Sequence, residues 1–134
     1  MDQTTSEENP VYLDGEFVAE SEASIPIDDP GFRWGYNVND VFRTVHHEPY
    51  HLDEHVERLF QSCKAARIDL DRTPEEVKTI GREIVDRYSF SHEYDDIMVL
   101  MYVSGGWRLY PEEGTEYSSR LVVSCAPIPF EEDA

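Results

Sequence analysis

Short apolar runs separated by turn residues dominate the first part of the chain. Val11–Leu13 and Glu16–Val18 flank the pair Asp14-Gly15. An Asp-Gly pair between two apolar runs favours a type I′ turn, because both turn positions need a positive φ. The pattern therefore predicts a β-hairpin that begins at Val11.

The segment from residue 25 to residue 35 has a different composition. Its prolines and glycines, at positions 26, 30, 31 and 35, break regular structure, so we expect turns with no regular element. Val38–His46 is predicted to be a strand. A turn at residues 47–49 and a short return strand at residues 50–52 are predicted to follow it.

Apolar residues recur at helical spacing in two later segments. The first has Asp53 as its predicted N-cap. The second opens with Thr73-Pro74-Glu75-Glu76, a capping box with proline at the first helical position. The apolar stripes consist of Val56, Leu59, Phe60, Cys63 and Ala66 in the first helix, and of Val77, Ile80, Ile84, Val85 and Tyr88 in the second. Both segments are therefore predicted to be amphipathic helices with one face toward a core.

Two apolar strands are predicted beyond the helices, at Ile97–Val103 and Leu121–Ala126. Strands, then two helices, then strands predict an α+β fold, with an antiparallel sheet and two helices packed on one face. We expect a disordered acidic N-terminus at residues 1–10, one folded domain at residues 11–126 and the start of an interdomain linker at residues 127–134.

The charge of the chain narrows the possible partners. Its 134 residues include 29 acidic and 11 basic ones, for a net charge of −18. Such a surface argues against binding nucleic acid or an anionic membrane, since both require a cationic patch. Nine of the basic residues are arginine and only two are lysine, a composition similar to that of cytosolic proteins from halophiles.

Other features of the sequence predict a soluble, cytoplasmic protein. Cys63 and Cys125 lie in apolar segments without metal-type spacing, as buried free thiols of a reducing compartment do. No apolar run reaches the ~18 residues of a membrane span. The N-terminus has neither the basic region nor the apolar core of a signal peptide.

Several familiar kinds of catalytic site can be set aside. His46, His47, His51 and His55 lie within ten residues, but adjacent strand residues point to opposite faces, so we expect no metal site. No Gly-x-Ser-x-Gly nucleophile motif is present, and Gly105-Gly106 lacks the Lys-Ser/Thr of a phosphate loop.

Arg58 is the one candidate for ligand chemistry that the pattern itself isolates. It lies opposite the apolar stripe of its helix, so it faces either water or a second structural body. An arginine in an acidic protein, directed at a partner domain, is suited to bind a phosphate bidentately. The alternative is a solvated arginine paired with Glu54 or Glu57.

Three segments between Tyr12 and Ile68 resemble the small N-terminal domain of fold-type IV, class IV aminotransferases, which depend on pyridoxal 5′-phosphate (PLP). They are Tyr12-Leu-Asp-Gly-Glu-Phe-Val18, then Asp29-Pro-Gly-Phe-Arg-Trp-Gly35, and Leu52-Asp-Glu-His-Val-Glu-Arg-Leu-Phe-Gln-Ser62. The last is similar to the family pattern Leu-x-x-His-x-x-Arg-Leu-x-x-Ser. This family includes branched-chain and D-amino-acid aminotransferases and aminodeoxychorismate lyase.

The resemblance implies a cofactor, a set of roles and an assembly. Arg58 would bind the PLP phosphate at the junction of two domains. Tyr36 and Asn39, and more loosely Arg108 and Tyr110, would face an amino-acid or 2-oxo-acid substrate. The full-length protein would be a homodimer, and a domain taken from it would expose apolar surface that is normally covered.

Two departures from the family pattern matter. Where the family has Gly-x-Gly-Val-Phe/Tyr-Glu, this chain has Gly35-Tyr-Asn-Val-Asn-Asp40, so Asn39 replaces an aromatic residue and Asp40 a longer acid. Neither Lys64 nor Lys78 lies in a segment similar to the one that bears the family's Schiff-base lysine. We therefore predict no catalytic residue in this chain, a second, lysine-bearing domain that is absent from it, and an inactive 134-residue fragment.

Three other functions stay open at this point. One is a domain of a PLP-dependent lyase of the aminodeoxychorismate lyase type, which would differ mainly in the substrate loops. Another is a non-enzymatic binding module that retains the fold. A metal-dependent hydrolase that uses the histidine cluster ranks last.

Overall fold

The computed structural model of the protein describes residues 8–106 and 119–129. The strands are β1 (Pro10–Leu13), β2 (Glu16–Ala19), β3 (Asn37–Val45), β4 (Glu48–Tyr50), β5 (Ile97–Ser104) and β6 (Arg120–Pro127), and the helices are α1 (Pro30–Arg33), α2 (Leu52–Ala66) and α3 (Pro74–Arg87). The six strands form one antiparallel sheet in the order β2-β1-β6-β5-β3-β4. This confirms the predicted α+β fold.

The first hairpin has the predicted turn. Asp14 and Gly15 both adopt a positive φ, of 52° and 84°, and they connect β1 to β2. On its other edge β1 pairs with β6, so the hairpin extends the sheet. A 3₁₀ turn at Glu20–Glu22 follows β2.

The segment from residue 25 to residue 35 contains a helix, so the prediction of no regular element was wrong there. Asp29 is the N-cap of α1, and its carboxylate accepts a hydrogen bond from the backbone N–H of Gly31. Pro30 follows at the first helical position, where its missing N–H costs no hydrogen bond. The same proline that interrupts a helix interior therefore starts this short one.

The Asp29 carboxylate also connects α1 to two strands of the sheet. The hydroxyl of Ser104, at the end of β5, donates to Oδ2 over 2.7 Å. Arg120, at the start of β6, donates to Oδ1 over 3.1 Å and binds Asp14 through its Nε. With only 5% of its side chain exposed, Asp29 is a buried charge whose partners come from three elements.

The start of α2 differs from the prediction. The helix begins at Leu52, and its N-cap is His51, which adopts a left-handed conformation and makes no side-chain capping bond. The prediction of Asp53 as N-cap was therefore wrong. Asp53 lies in the first helical turn, where a carboxylate interacts favourably with the helix dipole.

Both long helices pack on one face of the sheet, as predicted. Helix α2 lies against β3, and α3 lies against β1, β5 and β6. All ten residues of the predicted apolar stripes belong to the core or pack against it. The sheet contributes Phe42, Val99, Met101 and Val123, which are almost completely buried.

The two cysteines are buried free thiols, as predicted. Burial raises the pKa of the Cys125 thiol to about 12 and also raises that of Cys63, so neither forms a thiolate at neutral pH. Within residues 8–106 and 119–129, no helix is long and apolar enough to cross a membrane.

The capping box of α3 provides a first testable prediction. The hydroxyl of Thr73 accepts from the N–H of Glu76, and the Glu76 carboxylate accepts from the N–H of Thr73. We expect Thr73→Ala to lower the free energy of unfolding by about 1 kcal/mol, measured by urea denaturation. Thr79→Ala, an exposed substitution within the same helix, is the matched control. Equal effects of the two substitutions would contradict a stabilising cap.

Candidate functional site

The candidate site lies between β3 and α2. Asp40 projects from the face of β3 that also carries the buried residues Phe42 and Thr44, which is the face covered by the helices. His55 and Arg58 are three residues apart on α2, so they occupy one side of the helix. The three side chains meet where the helix passes over the strand.

Arg58 binds Asp40 through two parallel hydrogen bonds. Its Nε donates to Oδ2 over 2.7 Å, and its NH2 group donates to Oδ1 over 3.0 Å. This bidentate geometry is stronger and more directional than a single charged contact. The partner of Arg58 is thus a buried acid of the sheet, not Glu54 or Glu57 of its own helix.

His55 is the third member of the site. Its Nδ1 lies 2.7 Å from Oδ1 of Asp40. An ionised carboxylate only accepts hydrogen bonds, so this contact assigns a proton to Nδ1. One quarter of the His55 side chain is exposed, so it lies at the boundary between the buried Asp40 and solvent.

Asp40 is ionised despite its burial. Only 4% of its side chain is exposed, and this desolvation opposes the charged form. Hydrogen bonds from Arg58 and His55, together with their positive charge, outweigh it and hold the pKa of Asp40 below its ordinary value of 3.8. The same hydrogen bond raises the pKa of Arg58. The site therefore contains a fixed pair of opposite charges.

The outer edge of the Arg58 guanidinium remains available for a ligand. The side chain is 64% exposed, although its inner edge binds a buried acid. An arginine has five N–H donors, and only two of them face Asp40. The others are directed away from the carboxylate, in a planar arrangement that fits the oxygens of a phosphate.

The other predicted site residues lie apart from this group. The Tyr36 hydroxyl is within hydrogen-bond distance of the carbonyls of Ala66 and Arg67, at 3.1 and 3.0 Å, so it binds the end of α2. Asn39 is exposed and leaves β3 on the face opposite to Asp40. Arg108 and Tyr110 lie outside the described residues.

Two members of the site were not predicted. Asp40 was noted only as a shortened acid, and His55 was noted as one of four clustered histidines and as the histidine of the family pattern, without a role in the site. The spacing of His55 and Arg58 on one helix was visible in the sequence, but their common partner depends on how α2 crosses the sheet. In the part of the chain that the structure describes, no three or more His, Cys, Asp or Glu side chains form a group that could hold a metal ion.

The pKa of Asp40 leads to a prediction about pH. Because the folded-state pKa lies below the ordinary 3.8, ionised Asp40 stabilises the fold above pH 3.8, and this contribution is lost as the pH falls below that value. We expect Asp40→Asn to lower the free energy of unfolding at pH 7, and the difference from wild type to shrink below pH 4. Urea denaturation from pH 7 to pH 3 measures this difference, with Asp28→Asn, a change of an exposed acid outside the helices, as control. A difference that is constant with pH would contradict the assignment.

Comparison with known proteins identifies the family. A sequence profile described as amino-transferase class IV matches residues 37–134, which include β3 and the whole of α2. The chain belongs to the class IV aminotransferase family.

Individual relatives of this class IV chain agree with the match. The D-alanine aminotransferase of Staphylococcus aureus (strain N315) is 32% identical over 76 residues, which are 57% of this chain and 27% of the relative. A protein of Methanocaldococcus jannaschii named "Putative branched-chain-amino-acid aminotransferase" is 36% identical over 120 residues, or 90% of this chain and 40% of the relative. The chain thus spans between about a quarter and two fifths of these relatives.

Solved structures share the fold of the class IV chain. The branched-chain amino acid aminotransferase of Escherichia coli superposes with a TM-score of 0.74 at 18% identity, over 92% of this chain and 41% of that protein. The PLP form of the branched-chain amino acid aminotransferase of Thermobaculum terrenum gives a TM-score of 0.73 at 14% identity, over 93% and 42%. The six-stranded sheet and its two long helices are therefore the class IV arrangement.

Proposed function

We propose that this chain is the phosphate-binding small domain of a PLP-dependent aminotransferase, with Arg58 as the residue that binds the cofactor phosphate. The observation that supports this role is that the two edges of the Arg58 guanidinium have different surroundings. One edge is bound to the buried Asp40, and the rest of the side chain is exposed. A solvated surface arginine has no comparable anchor, since most exposed ion pairs are weak and mobile.

The parent reaction is the transfer of an amino group between an amino acid and a 2-oxo acid. When bound, PLP supplies the electron sink for this chemistry. Arg58 contributes binding and orientation through its charged N–H donors. The relatives named above are aminotransferases, which favours this function over the lyase and over the non-enzymatic binding module.

We also propose the residues that determine substrate choice. Tyr36, Asn39, Arg108 and Tyr110 are assigned to the substrate side. Asn39 and Arg58 lie on opposite faces of the sheet. The substrate and the cofactor phosphate would therefore be contacted from different sides of the sheet. The names of the relatives suggest D-alanine or a branched-chain amino acid as the substrate class.

We also propose the assembly, the second domain and the location of the full-length protein. The exposed apolar side chains of Ile27, Phe32 and Trp34 support an interface in a full-length homodimer. We assign the Schiff-base lysine to a second domain reached through residues 127–134. The net charge of −18 supports a cytoplasmic protein of a saline cell.

The proposed role of Arg58 is tested with two ligands that differ only in the phosphate. Pyridoxine 5′-phosphate has no aldehyde that could react with Lys64 or Lys78, and pyridoxine lacks the phosphate. We expect the 134-residue chain to bind the first at least tenfold more tightly, with NMR shift changes centred on Arg58 and His55. Equal affinity for the two ligands, or shift changes confined to other arginines, would overturn the proposal.

A further inference from the structure

The acid that binds Arg58 is itself held through both of its carboxylate oxygens. Oδ2 of Asp40 accepts from Nε of Arg58. Oδ1 accepts from NH2 of Arg58, from Nδ1 of His55 and from the backbone N–H of Val41 at 3.0 Å. Three of these four contacts converge on Oδ1 and one reaches Oδ2, so both carboxylate oxygens of Asp40 are held. Its orientation is therefore fixed from two elements, β3 and α2.

A fixed carboxylate also fixes the guanidinium. Two parallel bonds to Asp40 define the plane of the Arg58 side chain as well as its distance from the strand. A long arginine side chain on an open helix surface otherwise samples many rotamers, and ordering it on ligand binding weakens the affinity. In this site the two bonds to Asp40 order the guanidinium without a ligand.

We infer that Asp40 and His55 are positioning residues for phosphate recognition, acting through Arg58. Asp40 orients the guanidinium so that its outer N–H groups face the phosphate, and His55 holds the Asp40 carboxylate in that orientation. This inference rests on the proposed function of Arg58. It adds two residues that do not themselves touch the phosphate.

The negative charge of Asp40 affects the affinity for phosphate in the opposite direction to its positioning role. A carboxylate behind the guanidinium repels an incoming phosphate, so removing that charge strengthens the attraction at low salt. In 1 M NaCl the Debye length is about 3 Å, which weakens this repulsion where solvent lies between the charges, but a carboxylate that is 4% exposed is screened less than a surface one. His55→Phe keeps the charge of Asp40, so its affinity reports most directly on the orientation of Arg58.

The experiment combines a signal from the free chain with a measurement of affinity. In the wild type we expect the Arg58 Nε–H proton to be visible by NMR and to exchange slowly with water, because it is bonded to Asp40. In Asp40→Asn and in His55→Phe we expect faster exchange. In 1 M NaCl we expect pyridoxine 5′-phosphate to bind about fivefold more weakly to Asp40→Asn and about twofold more weakly to His55→Phe.

Asp53→Asn is the matched control. It removes one negative charge, as Asp40→Asn does, from the helix that carries Arg58, but Asp53 makes no contact with Arg58. It should leave both the Nε–H exchange and the affinity at the wild-type level. Should Asp40→Asn not fold, as judged by circular dichroism, His55→Phe decides alone, because it leaves every charge of the Arg58–Asp40 pair in place.

The outcomes separate this inference from the function on which it rests. Wild-type binding that requires the phosphate, with unchanged exchange and affinity in the folded variants at position 40 or 55, overturns the positioning role and leaves the phosphate role of Arg58 intact. A wild-type chain that binds pyridoxine 5′-phosphate no better than pyridoxine overturns the proposed function itself. Faster exchange together with weaker binding supports the positioning role.

Discussion

Replacing Arg58 by glutamine is expected to weaken the binding of pyridoxine 5′-phosphate by roughly 30-fold to 100-fold. Glutamine retains a polar side chain of moderate length but removes the positive charge and the paired donors. In a protein with a net charge of −18, no general attraction for anions remains to compensate. Binding of pyridoxine, which has no phosphate, should change little.

The measurement is an NMR titration of wild type and Arg58→Gln with each ligand at one salt concentration. Arg87→Gln is the control, because Arg87 is an arginine of α3 that is paired with Glu83 and lies on the other long helix. A loss that is equal for the two arginine variants would show that net charge, not the site, controls binding. A loss that is equal for both ligands would show damage to the fold.

The same substitution tests the internal pairing of the site. Asp40 would keep its hydrogen bonds from His55 and Val41 but lose both bonds from Arg58. We expect its pKa to rise toward or above the ordinary value of 3.8, because burial then opposes ionisation with less compensation. A pH titration of the Asp40 carboxyl by NMR in both proteins measures this change.

Local patterns predicted most of the fold. The first hairpin follows from Asp14-Gly15, since few other pairs accept two positive φ angles in sequence. The stripes of α2 and α3 follow from helical spacing, and the capping box at Thr73 marks the start of α3. These features depend on residues within one or two turns of each other, so sequence alone is sufficient.

The errors occurred where local preference and the wider structure compete. Asp53 has the side chain of a good N-cap, but α2 begins two residues after β4, and His51 takes a left-handed conformation to make that connection. Asp29-Pro30-Gly31 has the composition of a turn, yet contacts with Ser104 and Arg120 stabilise a helical start there. Both outcomes depend on residues that are distant in the sequence.

The candidate site was predicted only in part for the same reason. Arg58 could be selected because it lies opposite the apolar stripe of its own helix. Its partner could not be selected from 29 acidic residues, since only the crossing of α2 over β3 brings Asp40 to it. The signal that would have identified Asp40 is its position on β3. It lies on the same face of the strand as Phe42 and Thr44, which belong to the core.

The largest expected loss of stability comes from Asp29→Ala. The substitution removes the N-cap of α1 and leaves the Ser104 hydroxyl without its acceptor. Among the described residues, Arg120 would keep its bond to Asp14. Removing one member of a buried, charge-assisted network costs more than a surface contact does, and we expect a loss of about 3 kcal/mol in the free energy of unfolding.

Thermal unfolding of Asp29→Ala, its neighbour Asp28→Ala and Asp29→Asn separates the causes. A loss of about 3 kcal/mol corresponds to a decrease in Tm of about 10 °C for a domain of this size. Asp28 is exposed and should give almost no change, so it controls for the removal of one negative charge. Asp29→Asn retains the shape and one acceptor, and we expect an intermediate Tm because the amide cannot accept from three donors at once. If all three variants unfolded near the wild-type Tm, the connection of α1 to β5 and β6 would contribute little to stability.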